Sequence, residues 1–487
     1  MRSRLLAAPG FVMLCALASP ALAQDVAEEA PRPASLTPAE RMLMDRIEKQ
    51  DEEISALKDK LEDVASILAT RVSSVEAATD SGKVTMTAPG PRFESPKSDF
   101  TIQFVGAIQP EVAFYRQSGR GPGGPIVNSG TDFRRAHFGV QGTAFGDFNY
   151  QLVFDGAALG GVASSIRDAT IAYAGLRPFT FTFGNQKPQN GLEPTFSDRS
   201  NASTFLEPGL PAALATVNGT RAIGARVSAG SDHYSASIGL FADDINNANI
   251  ATPFAEGWGV HGRVTLAPIN EPGRLIHLGA SGYRRDPGTT TPTAAEPINS
   301  QLRYRAQPEV TADAARLVDT GVLTRVKSYA YLGLEAAGVY GPFSIQGEYA
   351  ASWVDQVPGR VDLRFDGAYV MASFFLTGES RVYDARNGVF TRLAPKHPFG
   401  KKGGAGAFEI AARWSRLDLD SHIDQLASGG VRGGTLTDYT LGLNWYLNPY
   451  LRVMVNYIHA EAEKRSATNV DQGTDADILA LRLHQEW

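Results

Sequence analysis

The chain has a single cysteine, Cys15, and no stretch of about 18 consecutive apolar residues that would cross a membrane as a helix. Cys15 sits in the N-terminal apolar run, so the rest of the chain has no disulfide and no thiolate chemistry. Histidine is scarce as well. The eight histidines are scattered, with His233, His261 and His277 on separate predicted strands, and no G-x-S-x-G occurs. That argues against a hydrolase, which needs a nucleophile with a positioned base. No cluster has metal-ligand spacing and no glycine loop is spaced to cradle a phosphate, so neither a metal nor a cofactor is expected. Basic excess is missing too: Lys+Arg is 46 against Asp+Glu 52, a formal net charge of −6, and a nucleic-acid partner is not expected.

At the N-terminus, Arg2 and Arg4 precede the apolar run Leu5–Leu17, and Ala21-Leu22-Ala23 follows. This is the pattern of a signal peptide, expected to span 1–23. Residues 24–35 are Ala/Pro/Glu-rich and expected to be flexible. Leu43, Ile47, Gln50, Ile54, Leu57, Leu61, Val64 and Leu68 then alternate spacings of four and three. That is a heptad seam, so 36–70 reads either as a self-associating coiled coil or as one amphipathic helix packed on its own domain. The coiled coil is the favoured reading, because the seam is narrow and its flanks are charged. Residues 71–97 read as a linker.

What is abundant is two-residue alternation. In the last stretch, Leu479, Leu481, Leu483 and Trp487 alternate with Ala480, Arg482, His484 and Glu486. Successive strand side chains point to opposite faces, which gives one apolar and one polar face. A soluble sandwich and a membrane barrel both make such strands. The barrel is favoured by an aromatic closing the apolar face, by 49 glycines, and by a hydrophobic content of only 43%. From Phe100 onward the alternation recurs sixteen times over 98–487. Short connections such as Gly341-Pro342 and Asn448-Pro449 alternate with long ones such as 188–219 and 285–326. The expected fold is all-β: a 16-stranded antiparallel transmembrane β-barrel preceded by a helical coiled-coil segment. Short turns and coiled coil would both face the periplasm. One segment, 378–405, is long but falls on the short-turn side by parity.

Several runs carry a family resemblance: Phe374–Gly400 (FFLTGESRVYDARNGVFTRLAPKHPFG), Glu409–Asp420, Thr440–Ala460, FRRAHFGVQGTAFGDFNYQLVFD from Phe133, and FTFGNQKPQNGLEP from Phe181. Together they resemble the phosphate-selective porin O and P family. The resemblance implies a homotrimer in outer-membrane lipid that passes small anions, with phosphate or polyphosphate as the solutes of its best-known members.

Pore selectivity comes from the charges facing the water column. The strand phases place Arg135, Arg226, Arg263, Lys327, Arg413, Arg452 and Arg482 inward, against Glu111, Asp155, Asp168, Glu335, Glu348, Glu409 and Glu486. This wall is balanced, and pairs such as Glu409 with Arg413 are expected to stiffen it. The resemblance makes 188–219 the constriction loop, with Arg199 and Glu207 at issue; its acids Glu193, Asp198 and Glu207 depart from a basic path. Arg303 and Arg305, two apart, share a face if extended. Segment 378–405, with Arg381, Arg386, Arg392, Lys396, Lys401 and Lys402, forms either a basic funnel at the exit or a surface patch. The rival functions are a general porin of weak charge preference and an anchor acting through its coiled coil.

Overall fold

The computed structural model describes residues 38–77, 82–86, 90–157, 165–195, 202–217, 220–245, 256–288, 302–400 and 403–487. The expected signal peptide and the stretch 24–35 lie outside these residues. The chain divides into two units, Met1–Ala78 and Thr79–Trp487. In the first, one helix, α1, covers Pro38–Ala77 and runs past Thr70 into the expected linker. It opens on a proline, whose missing N–H costs nothing in a first turn, and holds no glycine or later proline. The apolar seam residues Leu43, Ile47, Ile54, Leu57, Leu61, Val64 and Leu68 are all exposed in the single chain.

The second unit is a closed barrel of sixteen strands among the described residues. They are β1 (Thr101–Ser118), β2 (Gly130–Ala144), β3 (Phe148–Asp155), β4 (Ser165–Tyr173), β5 (Phe179–Gln186), β6 (Ala222–Gly230), β7 (Tyr234–Phe241) and β8 (Trp258–Glu271), then β9 (Arg274–Asp286), β10 (Val326–Tyr340), β11 (Phe343–Gln356), β12 (Leu363–Phe375), β13 (Ala407–Ser421), β14 (Val431–Asn448), β15 (Leu451–Glu463) and β16 (Thr474–Glu486). Each pairs antiparallel with the next, and β16 returns to β1 with Leu479 opposite Phe114. Closure removes every edge that would otherwise carry unpaired backbone groups into lipid. Two short strands within the expected linker, Lys83–Thr85 and Arg92–Glu94, pair with each other, and the second extends the sheet at β1. Trp487 locks the seam. Its N–H donates to the Gly106 carbonyl at 3.1 Å, and a Cβ on Gly106 would stand 2.3 Å from the indole ring, so only glycine fits there.

Outward positions form an apolar belt that includes Leu278, Leu334, Ile345, Val370, Leu443 and Leu481, all exposed. Each such side chain left in water would forgo roughly 1.5–3 kcal/mol, so the belt belongs in a bilayer. At the short-turn rim stand Tyr340, Phe343, Phe374 and the stacked pair Phe408 and Trp445, with ring centroids 5.7 Å apart. No described helix is long and apolar enough to cross a membrane; the strands do the crossing. The segment 376–406 joins β12 to β13 on the short-turn side, where parity placed it.

Candidate functional site

Three connections turn into the lumen, two from the long-loop mouth and one from the short-turn mouth. A chain buried in a barrel must have its own N–H and C=O groups satisfied, and here the wall does this. In the described part of loop 187–221, the N–H groups of Leu192 and Glu193 both donate to the Glu348 carboxylate at 2.8 Å. Gly191 and Leu210 donate to the hydroxyls of Ser281 and Ser415, each at 2.8 Å. Asn444 donates to the Thr204 carbonyl at 2.7 Å, Arg413 to that of Glu207 at 3.0 Å, and Arg452 to that of Ser203 at 2.5 Å. In loop 287–325, Glu309 takes the Nε–H of Arg413 at 2.9 Å, and Thr311 donates to Glu111 at 3.2 Å.

From the other mouth, segment 376–406 folds upward as a small hairpin, Val382–Asp384 with Val389–Thr391. Arg263 is paired with Glu335 at 2.8 Å and donates to the carbonyls of Asn387 and Gly388. Tyr383 reaches His277 at 2.5 Å, Arg392 pairs with Glu486 at 2.8 Å, and Arg381 reaches Gln346 at 2.9 Å and packs on the Phe390 ring. The expected alternatives for this segment were a basic funnel or a surface patch. Its inner arginines instead anchor it to the wall, while Arg386 and Lys396 remain exposed; Lys401 and Lys402 lie outside the described residues. Its hairpin shares an apolar cluster with loop 187–221: Leu192 and Ala202 from the loop pack with Ala385 and Phe390.

Two sizeable cavities lie among the described residues. The one on the long-loop side, about 460 Å³, is lined by Arg134, Arg135, Lys187, Arg303, Arg305, Arg316, Arg452 and Arg482, against the three acids Glu193, Glu207 and Glu309. The other, about 610 Å³, opens toward the short-turn mouth between Thr101, Gln141, Gln151, Thr170 and Arg226. Lys187 borders both. The acids are occupied. Glu207 holds Arg134 at 2.7 Å and Arg482 at 2.7 Å. Burial pushes the Glu207 carboxyl up, but the guanidinium groups of Arg134, Arg482 and Arg135 outweigh it and hold it below the usual carboxylate range. Glu193 and Glu309 both face Arg413, which is fully buried behind them.

The sequence-derived residues therefore separate. Arg135, Arg303, Arg305, Arg452, Arg482 and Glu207 gather at the first cavity, and Arg226 at the second. Arg263 and Arg413 face inward but are covered by loops. Arg413 does not pair with Glu409, which accepts from Asn444 and Tyr446 instead. Lys327 is the extra residue of a bulge between Val326 and Ser328; it is exposed and borders neither cavity. Arg199 lies outside the described residues.

Strand phase alone missed Arg134, Lys187 and Arg316. Arg134 has a mechanism. Gln109 pairs with Arg135 and Pro110 with Phe133, so Arg134 is the additional residue of a β-bulge. Pro110 has no N–H for the ladder, and strands accommodate proline at such bulges. Phe133 and Phe138, an odd number of residues apart, both face outward as a result. Arg134 and Arg135 then both reach the lumen. The sequence signal was Pro110 itself, on the facing strand.

A closed sixteen-stranded transmembrane barrel, narrowed by loops turned into a water-filled, charged lumen, is the architecture of a porin. Residues 123–487 match the family "Phosphate-selective porin O and P", and the chain belongs to that family. It is 26% identical to Porin O of Pseudomonas aeruginosa over 455 residues, covering 87% of this chain and 99% of that one. Among solved structures it is similar to OmpT of Vibrio cholerae, at 11% identity and a TM-score of 0.48, covering 80% of this chain and 98% of that one. It is also similar to an anion-selective porin from Comamonas acidovorans, at 12% identity and a TM-score of 0.44, covering 80% and 100%.

Proposed function

We propose that the protein is an outer-membrane channel for passive diffusion of small anions, phosphate among them, assembled as a homotrimer with its short turns toward the periplasm. Family membership supports this reading. The observation that carries it is the lining of the long-loop cavity, where eight basic side chains face three acids that are already engaged. Arg303 donates its Nε–H to Asp319 at 2.8 Å, whereas Arg305 is exposed on the cavity wall. Guanidinium groups stay charged at any working pH and present a donor fork that suits tetrahedral oxyanions. In a water-filled path each attraction stays weak, so an ion that enters also leaves.

The test is the reversal potential of the full-length protein in a planar bilayer under a KCl gradient. Chloride is expected to carry most of the current, and added phosphate to reduce it. A preference for potassium overturns the reading.

A further inference from the structure

The helix α1 carries an exposed apolar seam that no other described residue of its own unit covers. With Ile47, Ile54, Leu61 and Leu68 at a, and Leu43, Gln50, Leu57 and Val64 at d, the flanking g positions are Arg46, Glu53 and Lys60, and the e positions are Asp51 and Lys58. We propose that this seam binds further copies of the same helix, parallel and in register, with orientation set by Gln50. Two features of the seam identify the occupant.

The first is charge. In a parallel in-register coil a g residue faces the e residue of the following heptad on its neighbour. Arg46 then meets Asp51 of the other copy, and Glu53 meets Lys58, both of opposite sign. A second copy of this chain is thus a complementary partner without further assumption.

The second is Gln50, the one polar residue in the seam. Parallel packing in register stacks each Gln50 in a layer with its equivalents, where the amides donate to and accept from one another. Antiparallel packing over the same seam pairs a with d, which sets Gln50 against Leu61 and leaves a buried amide without a partner. The charges alone do not choose, because antiparallel packing would also bring Asp51 near Lys58 and Glu53 near Lys60. Gln50 decides the orientation.

Cysteine cross-linking of the full-length protein in its membrane tests this directly, with wild type as the background control. Leu43→Cys is expected to cross-link to itself on mild oxidation. An antiparallel pair would hold the two copies of residue 43 about 37 Å apart, at 1.5 Å per residue over the 25 residues to Leu68. Co-expressed Leu43→Cys and Leu68→Cys chains would then cross-link to each other instead, and that result overturns the parallel arrangement. Absence of any cross-link at Leu43, Leu57 or Leu68 overturns self-association itself. Glu53→Lys in the Leu43→Cys background is expected to lower the cross-linked fraction, and Glu53→Lys with Lys58→Glu to restore it. Under antiparallel packing the double exchange creates like-charge contacts with Lys60 and Asp51, so failure to restore also counts against the proposal. Reversal potentials measured on the same variants are expected to stay unchanged, so this inference and the channel reading fail separately.

Discussion

The two sides of the barrel wall are built from the same alternating strands, yet their lumen faces differ. On β9–β16 the inward residues His277, Glu335, Gln346, Ser415, Asn444 and Arg482 are buried, because loops 187–221 and 287–325 and segment 376–406 lie against them. On β2–β6 the inward residues Gln141, Gln151, Thr170 and Arg226 keep part of their surface and border the open cavity. The covered side behaves as a core: its acids and arginines hold loops in place. The open side lines a cavity. A wall that is electrically balanced when counted strand by strand still borders a basic cavity, because Arg134 at the bulge and the connection residues Lys187, Arg303, Arg305 and Arg316 add to the lining.

The comparison predicts where substitutions are felt. The largest effect is expected on the covered side. Arg413→Ala leaves Glu193 and Glu309 buried without their shared partner, a cost of about 3–5 kcal/mol. Loop 187–221 should loosen, with noisier and larger single-channel conductance and a lower temperature of heat modification on gels. Unchanged conductance together with unchanged heat stability would show that Arg413 does not hold the loops. Next comes the cavity lining. Arg305→Glu with Arg316→Glu should lower the chloride-to-potassium permeability ratio, at about 1 kcal/mol or fivefold for each charge moved through a water-filled path. The change should shrink as salt rises, since charges in water are screened over about 10 Å at 0.1 M. A ratio that does not move places the anion path elsewhere.

A smaller effect of opposite sign is expected for Glu207→Gln, which frees Arg134 to face the cavity while Arg482 stays on Glu111, and should raise chloride preference, read from the same reversal potential. The folded-state carboxyl of Glu207 lies below its ordinary value, so its ties are complete above the ordinary carboxylate range and are lost only as pH falls through the depressed value. Acidifying from pH 7 to about 4.3 should therefore leave its contribution intact, and a Glu207-dependent step in selectivity near that pH would contradict the ion pairs. The smallest effect belongs to Lys327→Ala. Exposed at its bulge and away from both cavities, it should leave selectivity within error, and a clear loss of chloride preference would put it in the solute path.

The strands were legible because the bilayer imposes a strict pattern: apolar outside, polar inside, period two. All sixteen could be placed, as could the anomalous long connection, read as 378–405 and found at 376–406. The lumen was less legible, for two physical reasons. The number of charges on a strand face does not reveal which are neutralised by loops, and Arg413 and Glu409 found partners that no spacing indicates. Loop residues such as Arg316 also carry no periodic signal, so only the folded chain brings them to Arg305. Lys187 sits in the run GNQKPQNGLEP, which marked a family segment without marking a junction between cavities.

The bulge at Pro110 acts on β2 as a frameshift acts on a coding sequence. Up to Arg134 the even positions point inward, and from Arg135 onward the odd ones do, so the stretch between the bulge and the loop is translated in a different phase from the rest of the strand. An alternating strand offers the lumen every second residue; at the slip it offers two in succession, and both are arginine. Adjacent charges of one sign, which a regular strand would have divided between water and lipid, are thereby delivered to a single address.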